Sequence, residues 1–360
     1  MDIEKGVGQL FLIGLPGPEV DEATESLLKD ISPGGICLFA RNIRSLGQTR
    51  ALTDAIRARL SETPFLSIDQ EGGLVDRLRR VLAPMPAASK IRNSPDAGEL
   101  AYIIGTALRH LGLNMDLAPV VDVIGAERIS SANGLYSRTF GNSKESVCDF
   151  AGEFLRQLER QGVLGCLKHF PGLGASTVDS HEELPVVNVS ENDLETVDLF
   201  PYRSLLASHS SVAVMVGHAA YPNSSLQEAD QNGKLLPSSL SYSFVTKLLR
   251  NKLGFDGVVV TDDMEMGAIV NNYGIGEAAV MAIEAGNDMV AVCAGIDSIY
   301  EAHAAVREAI RSGRINSGRL AASLERIAQL RNRLSPPADF AEEKLAELSE
   351  RIKDLSARLN

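Results

Sequence analysis

Apolar residues in this chain gather in short unbroken runs instead of alternating with polar ones. Eight runs have the length of a strand: QLFLIGL, GGICLF, FLSID, LNMDLAPVVDV, VLGCLKHF, SVAVMVGH, DGVVVTDD and NDMVAVCA. A strand buried on one face alternates, so continuous apolarity marks strands covered on both faces, as in a parallel sheet. Between the runs the spacing turns helical. In LSYSFVTKLLRNKLG, Ser241 is placed to cap the first turn and Gly254 to stop the last. In DSIYEAHAAVREAIRSG the apolar Ile299, Val306 and Ile310 follow helical spacing. Eight strand-then-helix units predict an α/β fold of the closed (β/α)8 type over residues 1–335, in preference to an open doubly wound sheet. The tail DFAEEKLAELSERIKDLSARL, within residues 336–360, reads as one charged amphipathic helix. Its Leu345, Leu348, Ile352 and Leu355 are expected to pack on the barrel or on a partner.

Composition narrows the function. With 360 residues, 44% of them hydrophobic and 23% charged, the chain can fill one large core, and no repeat or linker marks a second domain. A net charge of -12 with no basic patch argues against nucleic-acid or anionic-membrane partners. Cys37, Cys148, Cys166 and Cys293 are far apart and three lie in apolar runs. They read as buried free thiols, hence a reducing compartment. The opening MDIEKGVGQLFLIGLPG has too short an apolar stretch for a secretory signal or membrane anchor. A cytoplasmic location is therefore expected.

Polar residues recur where a barrel places its chemistry, at the carboxyl ends of strands. Asp69 follows FLSI, Lys168 and His169 follow LGCL, His218 follows VMVG, and Asp262 and Asp263 follow GVVVT. His218 reads either as a pocket residue or as a partner for a loop carbonyl. Asp263 reads as a cap for the helix that follows, because neighbouring side chains on a strand point to opposite sides and only one of the pair should face the site. The segment KHFPGLGASTVDSHEELP sets Asp179 two residues before His181 and includes glycines and small residues suited to a mobile flap. Convergence of His169, His181, His218, Asp69 and Asp262 on a metal is the rival reading. No H-x-H follows the first strand and no H-E-x-x-H occurs, so neither metal nor other cofactor is expected.

The motifs LFARNI (38–43), SIDQEGGLVDRL (67–78), LAPVVDV (117–123), SRTFG (137–141), KHFPGLGASTVDSHEELP (168–185) and GFDGVVVTDDMEMGAI (254–269) stand in an order that resembles the family 3 glycoside hydrolases. Within that family the chain is similar to the single-domain bacterial β-N-acetylglucosaminidases, or β-hexosaminidases, of peptidoglycan recycling. The resemblance runs over roughly residues 8–330, and the long KHFPG…DSH…P element is its most specific part.

The resemblance implies a retaining exo-glycosidase in which Asp262 is the nucleophile that forms a covalent glycosyl-aspartate. It implies that His181, oriented by Asp179, is the acid/base, and that Asp69, Arg77, Arg138, Lys168 and His169 bind the sugar. Histidine suits the proton work because its ordinary pKa, ~6.5, leaves both forms available near neutrality. A neutral base also repels an incoming anion less than a carboxylate would, which leaves water or phosphate open as acceptor. The implied substrates are N-acetylglucosaminyl-anhydromuramyl fragments, handled by a monomer. A β-glucosidase or other exo-glycosidase of the family, or a non-catalytic sugar-binding barrel, are the alternatives. With no Trp and 5% aromatic residues, a long groove of stacking platforms is disfavoured against a small pocket for one terminal sugar. One departure is visible: Leu173 stands where the family commonly has histidine. Altered loop packing is expected there, not lost chemistry.

Overall fold

Every one of the eight apolar runs contains a strand of the central sheet. The computed structural model describes residues 3–128, 135–176, 183–209 and 212–359. In chain order the strands are β1 (Phe11–Gly14), β2 (Gly35–Leu38), β3 (Phe65–Ile68), the short β4 (Gln70–Gly72) and β5 (Val75–Asp76), β6 (Met115–Asp116), β7 (Gly165–Phe170), β8 (Val212–Val216), β9 (Val259–Asp263) and β10 (Met289–Val292). β4 and β5 form a separate antiparallel hairpin. The other eight pair in the order β6-β3-β2-β1-β10-β9-β8-β7. Parallel bridges from Met115 to Leu164 and from Val120 to Lys168 join the two ends and close the barrel.

All residues of β1, β2, β3, β7, β8 and β10 are buried, which is why these runs do not alternate: one face packs into the barrel and the other under helices. β6 is much shorter than its run LNMDLAPVVDV. Pro119 offers no N–H to the ladder, so regular pairing stops and continues as single bonds, Cys166 N–H to the Ala118 carbonyl and Val121 N–H to the Lys168 carbonyl, both 2.8 Å.

The helix signals hold. Ser241 Oγ accepts the Phe244 N–H at 3.3 Å, and the chain leaves the helical segment Ser243–Lys252 through Gly254 at φ 71°. In the tail helix Glu342–Leu359, the side chains of Leu345, Leu348, Ile352 and Leu355 are fully buried. They pack on this chain's own helix Ser94–His110. Arg351 ties the two helices by reaching both Glu99 oxygens, at 2.7 and 2.8 Å, while lying 4.3 Å above the Tyr102 ring. The four cysteines are free and buried. Among the described residues no helix is long and apolar enough to cross a membrane.

Candidate active site

Two irregularities in the sheet build the site. Pairing of β7 with β8 slips between Leu167 and Phe170, and pairing of β9 with β10 slips between Val260 and Asp263; each puts one extra residue on the first strand. Such bulges break the inward-outward alternation of a strand. In consequence both Lys168 and His169, and both Asp262 and Asp263, line one cavity of about 190 Å³ at the carboxyl end of the barrel. The expectation that only one of the two aspartates faces the site is thereby overturned. The Lys168–His169 peptide is cis.

A buried charge network forms the wall on the β3 side. The Lys168 ammonium, 1% exposed, lies 2.6 Å from Asp69 Oδ1 and 2.7 Å from Glu71 Oε1. Glu71 also accepts two bonds from the Arg138 guanidinium, at 2.8 and 2.9 Å. Burial alone would raise the Glu71 pKa, but the charges of Lys168 and Arg138 outweigh it and hold the carboxyl well below the usual range. Burial would likewise lower Lys168, and Asp69 and Glu71 together raise it above the ordinary lysine value. Below them, Asp116 holds the loop by accepting the Gln70 N–H at 2.9 Å; burial raises its pKa well above normal. Arg77 is only loosely attached, 3.5 Å from Asp69 and 5.6 Å from the centre of the Phe39 ring.

His169 is oriented from behind. Its Nδ1 donates to Asp122 Oδ2 at 2.8 Å, leaving Nε2 for the cavity. Asp122 Oδ1 accepts the Leu173 N–H at 2.6 Å, so one buried carboxylate fixes both the imidazole and the start of the following loop. Leu173 itself is buried and lines the cavity, as packing in place of a polar side chain requires. The glycines of this loop serve fit: Gly172 has φ 133°, and a Cβ on Gly174 would lie 2.1 Å from the Val123 carbonyl oxygen.

Opposite stand the aspartates. Asp262 Oδ1 accepts the Asp263 N–H at 2.9 Å, and among the described residues Asp262 forms no ion pair. Burial opposes its ionisation, yet the nearby His169, His218 and Lys168 and the backbone bond bring its pKa below the ordinary value. Burial lowers the His218 pKa. Asp263 does not cap a helix. The short helix Gly267–Val270 is headed by Met266 without a side-chain cap, and Asp263 Oδ1 accepts N–H groups of Glu265 (3.1 Å) and Cys293 (3.3 Å) instead. Burial, followed by the charges of Glu265 and Asp262, pushes the Asp263 carboxyl up to about 7. His218 takes the second of its two readings: Nε2 donates to the Asp263 carbonyl at 3.1 Å and Nδ1 accepts from Ser239 Oγ at 2.7 Å.

The structure therefore brings together Asp69, Arg77, Arg138, Lys168, His169 and Asp262 around one cavity. Asp179 and His181 lie outside the described residues. Sequence reasoning gave no charged role to Glu71 or Asp122. Glu71 lies two residues from Asp69 in an extended segment, which puts both on one face; Asp122 is the lone charge in APVVDV, and a buried charge must find a partner.

A closed α/β barrel with carboxylates around a small polar cavity at its carboxyl end has the layout of the barrel enzymes. The family model described as "Glycosyl hydrolase family 3 N terminal domain" matches residues 2–330, and the chain belongs to that family. It is 34% identical to a β-hexosaminidase of Pseudomonas aeruginosa over 291 residues, covering 79% of this chain and 82% of that one. It is 30% identical to β-hexosaminidase A of Pseudoalteromonas piscicida over 338 residues, covering 88% of this chain but 55% of the relative's length. A solved family 3 β-N-acetylglucosaminidase from Paenibacillus sp. str. FPU-7 superposes with a TM-score of 0.86 at 34% identity, covering 99% of this chain and 69% of that one.

Proposed function

We propose that this protein is a retaining exo-β-N-acetylglucosaminidase that removes terminal N-acetylglucosamine from muropeptide fragments through a covalent glycosyl-aspartate. The observation that carries the reading is the contrast among the cavity's carboxylates. Asp69 and Glu71 are each bound to Lys168, Asp263 has its pKa raised, and Asp262 lines the cavity with its pKa lowered and, among the described residues, without an ion-pair partner. A nucleophile must be charged and uncommitted, and Asp262 meets both conditions.

In this reading Asp69, held rigid by Lys168, accepts hydrogen bonds from sugar hydroxyls. His169 Nε2, Arg77 and Arg138 supply further contacts, and the narrow cavity admits one terminal sugar. Asp262 attacks C1, the leaving oxygen takes its proton from His181, and the same histidine, oriented by Asp179, then deprotonates the water that releases the sugar. The resemblance of KHFPGLGASTVDSHEELP to the loop of the family's β-N-acetylglucosaminidases supports the assignment of the dyad, and the muropeptide aglycone is inferred from that same resemblance.

The test is hydrolysis of p-nitrophenyl N-acetylglucosaminide and of the matching glucoside by the wild type and by Asp262→Ala. The wild type should prefer the N-acetylglucosaminide, and Asp262→Ala should lose on the order of 10⁴-fold in kcat. Equal rates on the two glycosides would overturn the substrate assignment, and an active Asp262→Ala would overturn the mechanism.

A further inference from the structure

Asp263 enters the cavity through the bulge that also presents Asp262, yet the reaction as derived leaves it unused. We propose that Asp263 contacts the sugar directly, as a neutral carboxylic acid donating a hydrogen bond from Oδ2 to a substrate oxygen beside Asp262. The inference rests on the glycosidase reading above. Oδ1 already accepts two backbone N–H groups, from Glu265 and Cys293, so it has no use for a proton of its own. The proton is therefore assigned to Oδ2, the oxygen with no backbone partner among the described residues.

The surroundings keep it there. On its own strand Asp263 faces Asp262, and in the next turn Glu265, whose carboxylate is fixed by the Ala294 and Gly295 N–H groups at 2.5 and 2.9 Å. From β10 and β2 come the Cys293 and Cys37 thiols, and from β3 the Asp69 carboxylate shares the cavity. From the loop after β8 the His218 ring donates to the Asp263 carbonyl. Arg41, which reaches the Cys293 carbonyl, is engaged there and by the Leu15 carbonyl. No cation pairs with Asp263 among the described residues, so a carboxyl raised to about 7 has a structural cause, and ionisation would set a second negative charge beside the nucleophile. Placing one ionised and one neutral carboxyl side by side is a recurrent means of dividing chemical roles.

The test is calorimetric binding of N-acetylglucosamine between pH 5.5 and 8.5, alongside p-nitrophenyl N-acetylglucosaminide hydrolysis, for the wild type, Asp263→Asn and Asp263→Leu. Wild-type Kd should rise toward tenfold per pH unit above about 7, because only the neutral acid donates. Asp263→Asn, which keeps both an acceptor and a donor, should remove that rise; Asp263→Leu should bind at least about tenfold more weakly than Asp263→Asn at pH 6. An Asp263→Asn profile that tracks the wild type, or wild-type affinity in Asp263→Leu, would overturn this inference while hydrolysis leaves the glycosidase reading standing. A wild type that neither binds nor hydrolyses the sugar at pH 6 would overturn both.

Discussion

Replacing Lys168 by Met removes the cation shared by the buried Glu71 carboxylate and the partly exposed Asp69 carboxylate. Methionine keeps most of the length and volume of the stem, so the change is chiefly one of charge. At 2.6 and 2.7 Å, and with an effective dielectric near 20, each contact supplies a gross attraction of about 6 kcal/mol. Dehydrating the ammonium opposes this, and the net cost of breaking such a buried pair from one side is about 3–5 kcal/mol. Asp69 suffers most, since its remaining contact with Arg77 is 3.5 Å long, whereas Glu71 keeps both bonds from Arg138.

A double-mutant cycle isolates the pair. Once Glu71→Gln has neutralised that carboxyl, loss of the Lys168 charge should cost less, with a coupling of about 1–3 kcal/mol between Lys168→Met and Glu71→Gln. Urea unfolding of the four proteins at pH 7, followed by far-UV circular dichroism, measures it. Additivity within about 0.5 kcal/mol would refute the claim that these groups act as one network.

Ile352→Ala in the tail helix opens a cavity where a side chain is fully buried against Ser94–His110, and should lower unfolding stability by about 2–5 kcal/mol in the same urea assay; a loss below about 1 kcal/mol would show that the helix is not part of the barrel's cooperative unit. Asp263→Asn should flatten stability against pH. An aspartate near 7 in the fold and about 3.9 when unfolded favours the folded state fully below the lower value, and that advantage disappears as pH rises to 7, at most about 4 kcal/mol in all. At pH 8 the variant should therefore be the more stable protein by urea midpoint, and parallel pH curves for the two would refute the raised value.

The strand positions were legible in the sequence because double-sided burial leaves an unbroken apolar run, and the strand ends pointed to Asp69, Lys168, His169 and Asp262. What stayed hidden was pairing at a distance. Nothing local to Glu71 announces that Lys168, 97 positions later in the chain, will reach it at 2.7 Å, and nothing near Asp122 announces the His169 ring. Asp263 was misread for a definite reason. The strict alternation used to turn it outward holds for a regular strand, and a register slip on β9 is set by how β10 meets it, not by the residues of β9 alone.

That slip also explains why adjacent acids with nearly identical chemistry take different states. With regular pairing Asp263 would point away from Asp262 and neither would feel the other at close range. The extra residue turns both into one cavity, where burial disfavours the charged form of each and a second negative charge beside the first adds to that cost. Asp262 receives its neighbour's N–H and the field of Lys168, so it keeps the charge; Asp263 faces Asp262 and Glu265 without a paired cation, so it keeps the proton. Burial raises the Asp263 pKa most and the charges of Glu265 and then Asp262 add to it, so restoring regular pairing there would remove the Asp262 contribution and lower the Asp263 pKa by that part only.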